Sequence, residues 1–223
     1  MGKANICPVI LSHSLSEVQD QVNKVKSVPE IEKVQIDIID GDFADNATIS
    51  PFVLTKVDFG DISIDLHLMV REPVELLEEI ELLKDKIQFR SIIAQVERMS
   101  SQEEFIKLVK EMNYQVGLSL NVFTPLSAVE PDSWKQINQL QLLSVEAGFQ
   151  GQKINKSVYK KLSKCKKKIN DHAYSVEILV DGGIKLDNAK KLIDCGVNEL
   201  VIGSALWNSS DFNKAYQQFV SLV

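Results

Sequence analysis

The chain has 223 residues, 44% apolar and 25% charged, which suits one domain with a full core and is short for two. Its 25 Lys and Arg against 31 Asp and Glu give a net charge of −6, which argues against a general grip on nucleic acid or anionic lipid. No apolar run reaches the roughly 18 residues of a transmembrane helix, and Cys7, Cys165 and Cys195 are too few and too scattered for a disulfide framework or a Cys-based zinc site.

The opening MGKANICPVILSHS holds a short apolar stretch broken by Pro8, with no cleavage site after it. It reads as a first strand over 4–12 rather than a signal peptide, which points to the cytoplasm and to a small soluble metabolite as client. From there, short segments rich in Val, Ile and Leu alternate with amphipathic ones. The expected order is helix 15–27, strand 33–39, a short helix near 51–57, strand 62–69, helix 73–85, strand 88–96, helix 101–113 and strand 115–121. It continues with helix 125–132, strand 138–145, helix 155–169, strand 176–181, helix 186–195, strand 198–203 and helix 210–221. Asp187 and Asn188 are start signals for one helix, and Ser209 with Ser210 for the last. The lysine run at 160–168, KKLSKCKKK, reads as the solvated face of a helix rather than an anion site. Eight strands separated by helices predict a parallel sheet closed into a single (β/α)₈ barrel domain over 1–223. An open doubly wound sheet is the rival, weakened because no Gly-rich nucleotide fingerprint follows the first strand.

Side chains alternate between the two faces of a strand. In VQIDIID, Gln35 and Asp37 share a face against Val34, Ile36 and Ile38. In SIDLHLMV, Ser63, Asp65, His67 and Met69 oppose Ile64, Leu66, Leu68 and Val70. Glu177, Leu179 and Asp181 share a face, as do Gly117, Ser119 and Asn121. Several strands therefore have an aliphatic face that can meet helices and a second face holding polar groups. Buried polar groups demand partners, and Asp37, His67 and Asp181 fall near the C-terminal strand ends, where barrels keep their chemistry. Three small-residue loops follow the last strands: Ala147 to Gln152, Asp181-Gly182-Gly183 and Gly203-Ser204-Ala205. Their backbone N–H groups suit a phosphate.

These segments resemble the ribulose-phosphate 3-epimerase family in sequence order. The residues are CPVILSHS, QIDIIDGDFADNATISP, DLHLMVREP, GLSLN with Thr124-Pro125, LLSVEAGFQGQKI, LVDGGIKLDNA and LVIGSALW. The resemblance implies a barrel that inverts the carbon beside the ketone of a phosphorylated ketose, D-ribulose 5-phosphate to D-xylulose 5-phosphate, as in the pentose phosphate pathway. It places the two acid/base carboxyls on Asp37 and Asp181. A divalent metal, zinc by resemblance, would be held by Asp37, His67 and Asp181, and the fourth family position, a His, is Gln35 here. The substrate and its phosphate would meet His67, Met69, Gly148, Gln150, Gly151, Gly182, Gly183, Gly203 and Ser204.

Other departures from the family pattern are Val9 for a Ser, Gln95 for a His beside a retained Glu97, Ile39 and Leu143 for two Met, Glu146-Ala147 for Asn-Pro, and Gln150 for a Gly. A neutral amide serves zinc less well than imidazole, so Gln35 predicts weaker metal binding. The alternatives are 3-epimerisation of a hexulose 6-phosphate, or phosphosugar binding without turnover. The partner is in each case a small phosphorylated sugar, with no nucleic acid or membrane, and a homo-oligomer is compatible with the sequence. His13, His172, Trp134, Trp207 and Cys195 read as solvated or packing residues.

Overall fold

The structure is a computed structural model and describes residues 3–223. Its strands are β1 (Asn5–Ile10), β2 (Lys33–Ile39), β3 (Ser63–Met69), β4 (Phe89–Gln95), β5 (Gln115–Leu120), β6 (Gln139–Leu143), β7 (Glu177–Asp181) and β8 (Glu199–Ile202). They pair in sequence order, all parallel, and β8 returns to β1 to close the barrel. All eight predicted strands are present, trimmed by up to two residues at either end. The helices are α1 (Leu15–Lys26), α2 (Pro73–Glu81), α3 (Gln102–Glu111), α4 (Ser157–His172), α5 (Leu186–Asp194), α6 (Ser204–Trp207) and α7 (Phe212–Val220). No helix among the described residues is long and apolar enough to cross a membrane.

Three helix expectations are corrected. The segment 125–132 is not an α-helix but a 3₁₀ turn at Leu126–Ala128. Pro125 and Pro131 bracket it, and the residue before a proline resists helical backbone, so too few residues remain to nucleate a helix. The last helix opens on Asp211, whose carboxylate accepts from the Lys214 N–H, while Ser209 donates its hydroxyl to the Asp211 carbonyl instead of capping. In α5 the cap is Lys185, whose N–H donates to the Asn188 side chain, and Asp187 sits in the first turn. The short element after β2 is a 3₁₀ helix at Pro51–Lys56.

The aliphatic strand faces and the helices form one core. Ile36, Leu66, Leu118, Leu140, Val180 and Leu200 pack with Val22, Phe105, Leu162, Leu192 and Phe219. The lysine run lies on α4 with Leu162 and Cys165 turned inward, as a solvated helix face requires. Lys161 donates to the Asn121 carbonyl and Lys168 lies over the Trp134 ring, 4.5 Å from its centroid.

The barrel interior has two polar ends. At the N-terminal end Asp65 is fully buried and accepts from Lys33 Nζ at 3.1 Å, Ser91 Oγ at 2.7 Å and Arg90 Nε at 2.7 Å. Glu199, also buried, pairs with the same Lys33. Cys7, Asp65 and Glu199 bring donor atoms close enough for a cation. Lys33 and Arg90 already supply the positive charge there, and burial raises both the Cys7 thiol and the Glu199 carboxyl. This end is a structural plug. A small apolar cluster, Cys7, Val9, Ile93, Leu179 and Val201, rises from it toward the other end. Ile93 fills the room that Gly117 leaves on β5: a Cβ on that glycine would lie 2.6 Å from Ile93 Cγ1.

Candidate active site

Strand register places the polar faces of β2, β3, β4, β6 and β7 around one point. Asp37 pairs with His67 across β2 and β3, and Leu143 with Asp181 across β6 and β7. Because β1 and β8 stand between β2 and β7, the two carboxylates approach from different sides of the barrel. Ligand atoms of Asp37, His67 and Asp181 all lie within 4.8 Å of one another.

Gln35 lies between the two acids. Its Nε2 donates to Asp37 Oδ1 at 2.8 Å and to Asp181 Oδ2 at 2.9 Å. His67 Nδ1 is 3.0 Å from Asp37 Oδ1. The other ring nitrogen faces Gln95, which satisfies all its neighbours with its carbonyl oxygen toward His67. That oxygen accepts from His67 Nε2 at 3.0 Å and Ser119 Oγ at 2.8 Å, and the Gln95 amide nitrogen donates to Glu97 Oε2 at 2.9 Å. Glu97 and Gln95 thus fix the ring, as a ligating histidine requires. With Nε2 carrying the proton, the lone pair of Nδ1 points at a carboxylate oxygen. The space between these two acceptors is met by amide hydrogens, with Gln141 Nε2 at 3.2 Å and Gln35 Nε2 at 3.4 Å from Nδ1, and it also suits a cation.

Asp181 is pushed up to about 7, first by burial and then by the charge of Asp37, against the opposing pull of His67 and Gln35. A buried carboxyl that holds its proton up to about pH 7 is suited to an acid role beside a second carboxyl. The same shift sets a pH dependence of stability. Well below the ordinary carboxyl value of 3.8, folded and unfolded chains both hold the Asp181 proton. Between about 4 and about 7 the unfolded chain has released it and the folded chain has not, so stability falls as pH rises through this window. In chelator, the thermal midpoint of Asp181→Asn should therefore lose part of the decline that the wild type shows over that range, as calorimetry at stepped pH would reveal.

Above the acids opens a pocket. Its lining includes Asp37, Met69, Gly148, Gln150, Gly151, Asp181, Gly182, Gly183, Gly203 and Ser204. The three small-residue loops therefore converge, as expected. Gly183 has φ +64°, and a Cβ there would lie 2.5 Å from the backbone nitrogen of Ile154, which has nowhere to move. Gly183→Ala is expected to lose about 1–3 kcal/mol of stability in urea melts, the ordinary cost of a strained backbone site. Asn46 Nδ2 donates to the Gly148 carbonyl at 2.6 Å and ties the loop after β2 to this one. The Gln150 amide lies across Gly203, 3.0 Å from where a Cβ would stand.

His67, expected to meet the substrate, is fully buried beside Asp37, its register partner on β2, and is not among the residues lining the pocket. Gln35 lies at the same depth. Trp207 donates its indole N–H to the Val9 carbonyl at 2.6 Å and stacks on Phe212, a packing role, while His13 is exposed. Sequence reasoning missed Gln141. Its Nε2 donates to Asp181 Oδ2 at 3.1 Å and lies 3.2 Å from His67 Nδ1. The signal was available: Gln139 and Gln141 alternate with Leu140 and Leu142 on β6.

The profile of the ribulose-phosphate 3 epimerase family matches residues 5–207. The ribulose-phosphate 3-epimerase of Bacillus subtilis is 30% identical over 215 residues, 96% of this chain and 96% of that protein. The chloroplastic ribulose-5-phosphate-3-epimerase of Arabidopsis thaliana is 30% identical over 211 residues, 94% of this chain and 74% of that protein. Among solved structures, 3-hexulose-6-phosphate synthase from Salmonella typhimurium superposes with a TM-score of 0.66 at 14% identity, covering 98% of this chain and 97% of that one, a likeness of fold alone. Fold, paired acids and relatives together define an isomerase of phosphorylated sugars built on a (β/α)₈ barrel. The chain belongs to the ribulose-phosphate 3-epimerase family.

Proposed function

We propose that this protein inverts C3 of a phosphorylated ketose, interconverting D-ribulose 5-phosphate and D-xylulose 5-phosphate, with Asp37 and Asp181 as the two proton-transferring groups. The observation that carries the reading is the approach of two buried carboxylates from β2 and β7 to the floor of one pocket walled by three glycine loops. The phosphate would sit among the backbone N–H groups of Gly148, Gly151, Gly182, Gly183, Gly203 and Ser204, with Gln150 beside them. Anchoring that end holds C3 over the acids, and Met69 covers the apolar side. One carboxylate removes the C3 proton from its face of the sugar. The enediolate carbon is planar, so the other acid returns a proton to the opposite face and inversion results. Asp37 and Asp181 exchange roles in the reverse direction.

A divalent cation fits the residues present. The imidazole nitrogen and carboxylate oxygens of Asp37, His67 and Asp181 converge within 4.8 Å, a donor set such an ion takes, and Gln35 carries an orphaned buried oxygen beside them. Asp37, His67 and Asp181 would hold it next to Gln35, and when bound it would polarise the ketone and stabilise enediolate charge. Zinc is the family's choice by resemblance. The shared requirement of these steps is a small phosphorylated sugar in an aqueous compartment, in keeping with a cytoplasmic enzyme.

The test is incubation with each pentulose 5-phosphate in D₂O, followed by NMR. The expected result is epimerisation with loss of the C3 proton signal. Turnover of a hexulose 6-phosphate alone would reassign the substrate. Phosphosugar binding without exchange at any C3 would leave a binding protein.

A further inference from the structure

The barrel centre holds two buried oxygen atoms without a partner, Gln35 Oε1 and Gln141 Oε1. Gln35 is 1% exposed and Gln141 fully buried, away from bulk solvent, and an unmet buried carbonyl is costly. Both amides are turned the same way, nitrogen inward. Gln35 Nε2 lies 2.9 Å and Gln141 Nε2 lies 3.1 Å from the same atom, Asp181 Oδ2. The two nitrogens are also 3.4 Å and 3.2 Å from His67 Nδ1. Two amide groups therefore face the position bounded by the Asp37, His67 and Asp181 donor atoms.

A half-turn of an amide about its last side-chain bond exchanges nitrogen for oxygen with almost no change in shape. We propose that Gln35 and Gln141 both make this turn when a divalent cation enters, so that the ion is held by one imidazole nitrogen, two carboxylate oxygens and two amide oxygens. This deepens the metal reading above and rests on it. With no cation the amide N–H groups screen the carboxylates from one another. With a cation the carboxylates are neutralised by the ion, and the two orphaned oxygens acquire a partner. One nitrogen and four oxygens form a harder, higher-coordinate set than the nitrogen-rich tetrahedral sites zinc favours. The set suits manganese, so the margin by which zinc outbinds manganese should be narrow here. Gln141 is a ligand under this proposal.

The buried plug at Cys7, Asp65 and Glu199 does not compete for the ion, because Lys33 and Arg90 fill it. The probes are Mn²⁺ and Zn²⁺ alone, without sugar, titrated into chelator-stripped full-length protein. Bound Mn²⁺ is read by electron paramagnetic resonance and Zn²⁺ by competition with a chromophoric chelator. Gln141→Leu is expected to weaken Mn²⁺ by about tenfold or more, the scale on which metal-site partners act, and Zn²⁺ by less. Gln35→His should widen the zinc preference. Gln141→Glu, which keeps an oxygen in place and adds charge, guards against a folding defect in the leucine variant and should tighten Mn²⁺. Unchanged Mn²⁺ affinity in both Gln141 variants overturns the ligand role, as does a wild type that binds neither ion at millimolar concentration. Neither result touches the two-acid reading, which is judged separately by C3 exchange of the wild type in chelator and in added metal.

Discussion

Asp37→Asn is expected to lower kcat for epimerisation by about 10²–10⁴-fold, the range that a positioned acid or base contributes. Affinity for the phosphosugar should change little, because the glycine loops that grip the phosphate are untouched. The fold should also persist: an Asn oxygen can still accept from Gln35 Nε2, which donates to Asp37 at 2.8 Å. The sharper signature is an asymmetry. With two acids on opposite faces, removing Asp37 abolishes exchange of the C3 proton that faces it, while Asp181 can still exchange the proton of the other epimer. Asp181→Asn should show the mirror pattern. NMR in D₂O with each pure epimer therefore reads the two faces independently. Loss of exchange from both epimers in either single variant would mean one shared base, and would falsify the assignment of opposed roles.

The strand faces carried most of this into view from sequence. The alternation in VQIDIID and SIDLHLMV put Gln35 with Asp37, and Asp65 with His67, and both pairs do point into the barrel. The Gly loops were legible for a similar reason, since few residues besides Gly accept the positive φ of Gly182 and Gly183. Depth was not legible. Alternation tells which way a side chain points, but not whether it stops at a pocket surface or under it. His67 was expected against the substrate, and alternation put it on the inward face without telling that it would be fully buried. Gln141 escaped because its importance comes from contact with residues of β3 and β7, pairings fixed only when the barrel closes. The 125–132 segment failed differently: its apolar spacing fits a helix, but two prolines leave no room for one.

Alternation also could not say which end of the barrel does chemistry, and the second expected result turns on that distinction. Asp65 and His67 are neighbours on one strand face, yet Asp65 belongs to the opposite end. There Lys33, Arg90 and Ser91 all donate to it. Asp65→Ala leaves the Arg90 guanidinium without its carboxylate and Lys33 with Glu199 alone. Breaking a fully buried ion pair from one side costs about 3–5 kcal/mol. Lys33 and Arg90 keep 18% and 25% of their side chains exposed and Lys33 keeps Glu199, so the expected loss is smaller, about 1–3 kcal/mol. For a domain whose total stability is about 5–15 kcal/mol, that is a measurable share. Denaturant titration should show a midpoint shifted down with little change in slope. The protein that remains folded at low temperature should turn over at close to the wild-type kcat, because Asp65 lies at the far end of the barrel from the pocket. Asp37→Asn should do the reverse, keeping stability and losing turnover. If Asp65→Ala instead removed activity while leaving the midpoint unchanged, the division of one strand face into a structural end and a chemical end would be wrong. The polar floor would then have to be counted as part of the site.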